Sequence, residues 1–263
     1  PGSLFLMENV RLLEGEEEDH EALGKQLAAL GDLFINDAFS VCHRANASVT
    51  QIPRFLPSYA GLRLEKELEV LGHVMRDARQ PLVVILGGAK ISDKIGVIDH
   101  FMPRAARFLI GGAVANTFLN AQGVDIQKSF CEPEMVSVAR DILAHDGKIM
   151  LPSDFVIHQG KFLDIGEQTV AQFRKEIARA KTIIWNGPMG LFEQKRFIGG
   201  SRAIARAIAK AKAFTVVGGG ETTQLVHELK LEKKYDFIST GGGAMLAFLA
   251  GKKLPGVEAL ENK

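Results

Sequence analysis

Two lysines, a carboxylate and several glycine clusters stand at spacings suited to gripping phosphate in this 263-residue chain. In Gly87-Gly88-Ala89-Lys90-Ile91-Ser92-Asp93-Lys94 the i, i+4 spacing predicts both lysines on one helix face just beyond a strand, where they act as point charges for phosphate oxygens. The positive end of a helix is otherwise a poor place for two cations. A bound anion resolves that conflict. Gly218-Gly219-Gly220-Glu221-Thr222-Thr223 adds a carboxylate and hydroxyls at another expected helix start, suited to holding Mg²⁺ on a nucleotide phosphate. An acidic residue in a first helical turn also has a plain structural use, since it complements the helix dipole.

The elements that must position these groups follow from periodicity. Apolar, β-branched runs at 82–86, 108–110, 148–151, 182–185, 214–217 and 237–240 predict six strands. Segments of helical period lie between them, as in Arg202-Ala203-Ile204-Ala205-Arg206-Ala207-Ile208-Ala209. Strands alternating with helices of this length predict an α/β fold with a doubly wound, six-stranded parallel sheet. Glycine doublets or triplets follow four of the strands (Gly87-Gly88, Gly111-Gly112, Gly218-Gly219-Gly220, Gly241-Gly242-Gly243), and Asn186-Gly187-Pro188 follows a fifth. In an open α/β sheet these all fall along the carboxyl edge, where ligands bind. A single glycine there only supplies a turn; four clusters together predict an anion or nucleotide shelf.

Charge and composition narrow the partners. Lys+Arg 32 against Asp+Glu 31 leaves a formal charge of +1, which gives no overall electrostatic footprint for nucleic acid or a membrane surface. Residues 1–60 hold four Lys/Arg against nine Asp/Glu, or −5, so the remainder carries +6. Small anions stay open as partners. With Pro53 and Pro57, that asymmetry places a boundary near residues 53–62. Cys42 and Cys131 are 89 positions apart without a CxxC, against a disulfide framework or a thiolate zinc site and in keeping with a cytoplasmic setting. No apolar run approaches the ~20 residues a spanning helix needs. The third glycine of a dinucleotide fingerprint is replaced by Thr223 or Leu246, and no Gly-Lys-Ser/Thr is present.

Pro1-Gly2-Ser3 looks like the remainder of a cleaved tag, and Leu4-Phe5-Leu6-Met7 enters at once in the pattern of a buried strand. The natural chain is therefore expected to begin earlier. The expected organisation is a partial second α/β domain at 4–60, a linking helix at 61–79, a nucleotide domain at 80–250 and a C-terminal segment at 251–263.

In this order, the Gly87 to Lys94 motif, Trp185-Asn186-Gly187-Pro188-Met189-Gly190-Leu191-Phe192-Glu193, the Gly218 triplet and Ser239-Thr240-Gly241-Gly242-Gly243-Ala244 closely resemble the phosphoglycerate kinase family. Glu8-Asn9-Val10-Arg11, Asn36-Asp37-Ala38-Phe39 and His43-Arg44-Ala45 are similar to it as well. The resemblance implies a glycolytic phosphotransferase that acts between 1,3-bisphosphoglycerate and ADP, or 3-phosphoglycerate and ATP, with Mg²⁺, and is monomeric when intact. It implies that Lys90 steadies the phosphoryl in flight and that Lys94 holds nucleotide phosphate. Gly111, Gly112, Leu163 and Leu191 would line the adenine slot, Glu193 would meet the ribose, and Asn186 and Pro188 would lie near the phosphates. Gly219, Gly220, Glu221 and Thr222 would meet the β-phosphate and its metal, Gly241 to Gly243 would cap the transferring group, and Arg11 and Arg44 would clamp the glycerate. The family usually has Asp where Glu221 stands, and its pattern is only loosely kept around Phe162-Leu163-Asp164-Ile165-Gly166. Its other glycerate ligands would precede Leu4, so these residues are expected to bind nucleotide but transfer poorly. A non-catalytic nucleotide-binding module and a dinucleotide oxidoreductase are the alternatives.

Overall fold

A computed structural model describes residues 2–144 and 147–261. In chain order the elements are α1 (Glu21–Ala28), β1 (Phe34–Asn36), β2 (Ser58–Ala60), α2 (Leu62–Asp77), β3 (Leu82–Leu86), α3 (Ile95–Phe101), β4 (Arg107–Ile110), α4 (Gly112–Ala121), α5 (Val136–Ala144) and β5 (Ile149–Met150). They continue as β6 (Phe155–His158), β7 (Lys161–Ile165), α6 (Glu167–Arg179), β8 (Thr182–Asn186), α7 (Gly199–Ile208), β9 (Phe214–Gly218), α8 (Gly220–Glu228), β10 (Phe237–Ile238), α9 (Gly243–Leu249) and α10 (Pro255–Glu261). Contacts divide the chain into two units, Pro1–Val70 with Lys252–Lys263, and Leu71–Gly251.

The first unit is built around the short parallel pair of β1 and β2. Glu16, 2% exposed, accepts the Ser48 N–H (2.9 Å), the Ser48 hydroxyl (2.5 Å) and the Asn46 amide (3.4 Å). A buried carboxylate needs that many donors to offset its lost hydration. Asp37 caps α2 by accepting the N–H groups of Arg63 (2.7 Å) and Leu64 (2.9 Å). The chain returns to this unit through α10, where the Gly256 N–H donates to the Cys42 carbonyl at 2.9 Å. Burial pushes the Cys42 thiol up to about 11, so it is inert packing rather than a nucleophile. Leu4 to Met7 do not form the expected buried strand: Leu4 is 96% and Leu6 97% exposed. Among the described residues no strand pairs with them, and an apolar run without a ladder partner has no sheet to join.

The second unit holds a six-stranded parallel sheet in the order β10-β9-β8-β3-β4-β5. All six expected strands are present, with ends shifted by a residue or two. Val83, Ile85, Leu109, Ile183, Trp185 and Val217 form one core with Phe173 and Ile177 of α6, Ile204 and Ile208 of α7 and Leu225 of α8. Leu82, Val84 and Leu86 alternate to the opposite side and are also buried. Burial on both faces explains why β3 reads as an unbroken apolar run. The chain leaves β3 outward through β4 and β5, then returns to β8 on the other flank. The strand order therefore reverses at β3, and a crevice opens there at the carboxyl ends.

Phe173→Ala should cost about 3–5 kcal/mol, because it removes a fully buried ring from the core between α6 and the sheet. Urea unfolding checks this; a loss below about 1 kcal/mol would mean that the packing there is not as described.

Candidate functional site

Backbone meets backbone at the crevice. The loop after β8 threads between those after β3 and β4: Gly87 N–H donates to Asn186 O (2.9 Å), Gly88 N–H to Pro188 O (2.8 Å) and Gly112 N–H to Met189 O (2.9 Å). A Cβ at Gly87 would stand 2.0 Å from Pro188 O, and one at Gly187 would stand 2.3 Å from Gly87 O. Gly187 also has φ +91°, a conformation other residues rarely adopt. Three side groups fix this turn. The Trp185 indole donates to Gly187 O (2.9 Å), the Gly187 N–H donates to the Thr222 hydroxyl (2.9 Å), and the Met189 N–H donates to the Ser201 hydroxyl (2.8 Å). Thr222, fully buried, is therefore a tie between α8 and the β8 loop.

Lys90 and Lys94 do not share a helix face. The helix α3 begins only at Ile95; the Lys94 N–H turns back to Ile91 O (2.7 Å), leaving Lys90 exposed and Lys94 only 7% exposed. The cause is Glu132, a residue the sequence did not mark. Its carboxylate accepts the N–H groups of Ile91 and Ser92 and, at 2.7 Å, the Ser92 hydroxyl, holding a turn where a helix was expected. Glu132 is itself placed by its own N–H, which donates to the Thr117 hydroxyl at 3.1 Å. Burial draws the Lys94 ammonium below its usual pKa, while Asp93, Glu221 and Glu132 pull it back up.

The glycine triplets after β9 and β10 adjoin. A Cβ at Gly218 would stand 3.2 Å from Gly241 O, and one at Gly242 would stand 3.9 Å from Gly219 Cα. Gly241 N–H donates to the Ser239 hydroxyl at 3.1 Å. Gly219, at φ +98°, caps α8 and sets Glu221 in its first turn. Asn186, buried at the end of β8, keeps its amide Nδ2 without a hydrogen-bond partner among the described residues.

A cavity of about 660 Å³ lies beside these loops. Gly112, Leu163, Pro188, Leu191, Glu193 and Glu221 line it, as do Gly88 and the stacked pair Phe155 and Phe162. The two rings lie 4.2 Å apart at 16° on the hairpin of β6 and β7. Gly111, Asn186, Gly219, Gly220 and Thr222 lie in the adjoining strand end, loops and first turn of α8 rather than in the lining. The hairpin was missed by periodicity. Its signal is the Gln159-Gly160 pair, both at positive φ (49° and 74°), between two short apolar runs. Arg11 and Arg44 belong to the first unit, where they flank His43; burial first, then Arg44 and Arg11, hold its imidazole below the usual range.

Asp164, 4% exposed, ties the hairpin to α7 by accepting the N–H groups of Gly200 (2.7 Å) and Ile165 (2.9 Å). Burial pushes its carboxyl up to about 6, against the lowering pull of those donors. Asp154 shows the opposite balance. Desolvation works to raise its pKa, but hydrogen bonds from Thr169 and Gln168 at the start of α6 leave it below the usual range.

Comparison with known proteins gives one consistent answer. The family model described as phosphoglycerate kinase matches residues 1–252. The phosphoglycerate kinase of Pelotomaculum thermopropionicum is 42% identical and that of Koribacter versatilis 46%, each alignment covering 100% of this chain and 72% of the relative. Among solved structures, phosphoglycerate kinase from Pyrococcus horikoshii superposes with TM-score 0.89 at 34% identity, and that from Coxiella burnetii with 0.83 at 36%. Each covers 96% of this chain and 71% of the solved chain.

A carboxyl whose folded pKa is raised costs stability once the unfolded chain's carboxyl ionises, so its cost is absent below the ordinary carboxyl pKa of 3.8, grows as pH rises toward about 6 and is constant above. The unfolding free energy of the chain minus that of Asp164→Asn should therefore fall by about 2–3 kcal/mol between pH 4 and pH 7. Paired denaturant titrations across that range check it; a flat difference would contradict the assigned environment.

Proposed function

Because the chain belongs to the phosphoglycerate kinase family, we propose that it serves reversible phosphoryl transfer between 1,3-bisphosphoglycerate and ADP, with Mg²⁺ on the nucleotide, as a step of glycolysis. The observation that carries this reading is the polarity of the site. One side of the crevice gathers a buried cation, Lys94, with Glu221 and the open glycine loops, while the cavity beside it is walled by Leu163, Leu191 and two stacked phenylalanines. A nucleotide has the same two ends. Phosphoryl transfer asks mainly for positioning and charge neutralisation, which such groups supply without covalent chemistry.

Among the described residues no group of three or more His, Cys, Asp or Glu could hold a metal alone. One carboxylate, Glu221, exposed on the first turn of α8, suits a Mg²⁺ that keeps its water and takes its other ligands from phosphate oxygens. When bound, that ion would neutralise phosphate charge. Lys94 and the N–H groups of Gly219 and Gly220 would hold the β-phosphate, and the unpartnered Asn186 amide offers a further donor. Lys90, exposed beside the crevice, would steady the phosphoryl in transit. Gly241's N–H is already engaged by Ser239, so capping of the transferred group falls mainly to Gly242 and Gly243. Arg11 and Arg44 would clamp the glycerate.

Tested by itself, the 263-residue polypeptide should bind Mg-ADP and not NAD in calorimetric titration, and should turn over 3-phosphoglycerate poorly in a coupled assay. Tight NAD binding, or full turnover, would overturn the proposal. With a complete glycerate side present, Lys90→Ala should cut transfer by about 100-fold while changing nucleotide affinity by no more than about threefold. Equal losses in both would make Lys90 a ground-state binding group. Unchanged affinity with no transfer at all, even in the complete protein, would favour the non-catalytic module.

A further inference from the structure

The excess positive charge outside the first sixty residues has a local address that phosphoryl transfer does not use. At the amino edge of the sheet, opposite the glycine loops, the last turns of α6 and α7 and the connections to β8 and β9 enclose a groove of about 610 Å³. Five cations line it: Arg174, Lys181, Arg206, Lys210 and Lys212. No carboxylate lines it, and none of the five makes an ion pair within 4 Å among the described residues. The nearest acid on α6, Glu176, is engaged elsewhere with Arg179 (3.6 Å) and Arg107 (3.9 Å).

Two helix carboxyl ends offer at most about half a negative charge each. That offsets roughly one of the five positive charges and leaves the rest to repel one another across the groove. The five side chains are exposed and border one space, whose floor includes the buried Ile177 and Ala180. An anion of about four charges would remove this repulsion. Two guanidinium groups can each take phosphate oxygens in pairs, and three lysines add point charges. The lining holds no aromatic ring on which a base could stack, which disfavours a single-stranded nucleic acid. It also holds no acid that would retain a metal ion.

We propose that this groove is a second anion site, separate from the nucleotide crevice, that takes a short linear chain of phosphoryl groups. The proposal does not depend on the kinase assignment. Calorimetric titration with inorganic tripolyphosphate tests it, using the unaltered chain, Arg206→Gln/Lys210→Gln and Lys94→Ala. The unaltered chain should bind, with affinity falling as KCl is raised. The groove variant should lose about tenfold in affinity at that site, or about 1.4 kcal/mol, whereas Lys94→Ala, which removes only the crevice's share of phosphate binding, should leave the groove's affinity unchanged. Absence of binding, or loss in Lys94→Ala with retention in the groove variant, would overturn the proposal. So would tighter groove-dependent binding of an oligonucleotide of equal charge. Should the double variant fail to fold, amide shifts in the unaltered chain decide the matter: tripolyphosphate should move residues 206–212, whether or not it also fills the crevice and moves 218–222, and absence of movement at 206–212 would refute the site.

Discussion

Three loops from different strands pass within contact distance at the point where the sheet reverses its winding order, and much else in the second unit follows from that crowding. The carbonyl of Pro188 occupies the place of a side chain at Gly87, and the carbonyl of Gly87 occupies the place of one at Gly187. Side chains cannot enter without prising the strands apart. The same packing spends three of the loops' own N–H groups on each other, so the edge is tied together by its own backbone. Trp185, Thr222 and Ser201 lock the arrangement from behind, which makes these buried residues positioning groups for the edge.

Charge is placed on this edge by a second layer of long-range ties. Glu132 reaches the turn after β3 from 40 residues away and, by stopping the helix short, leaves Lys94 buried and Lys90 free. Asp164 does the corresponding work on the other side of the cavity, binding the β6–β7 hairpin to the first turn of α7 across 36 residues. Both carboxylates are buried on backbone donors, an arrangement that costs desolvation but fixes the walls of the cavity. The proposed nucleotide contacts thus rest on acids whose carboxylates are spent on backbone N–H groups.

The parallel sheet was legible because its central strands are buried on both faces and so appear as unbroken β-branched runs ending in glycine. The α2 helix was legible through its spacing of Leu64, Leu68, Leu71 and Val74, of which Leu64, Leu71 and Val74 are fully buried and Leu68 half-buried. Local pattern failed where a distant partner decides the outcome. The Lys90 to Lys94 spacing is helical, yet Glu132 imposes a turn; Leu4 to Met7 read as an unbroken apolar run like a buried strand, yet among the described residues no partner strand receives them. The hairpin escaped because its strands are short, half exposed and interrupted by a register shift at Val156 and Ile157. The basic groove escaped for a related reason: its five cations are scattered from 174 to 212 and converge only when α6 packs on α7.

The central claim is that the carboxyl edge of this sheet is built for a nucleotide lying across the reversal point. A crystal structure of the chain soaked with Mg-ADP tests it most directly. The diphosphate should lie beside Lys94 and the first turn of α8, with the base in the cavity walled by Leu163 and Leu191. A nucleotide bound away from the glycine loops, or with its base at the Lys94 end, would contradict it.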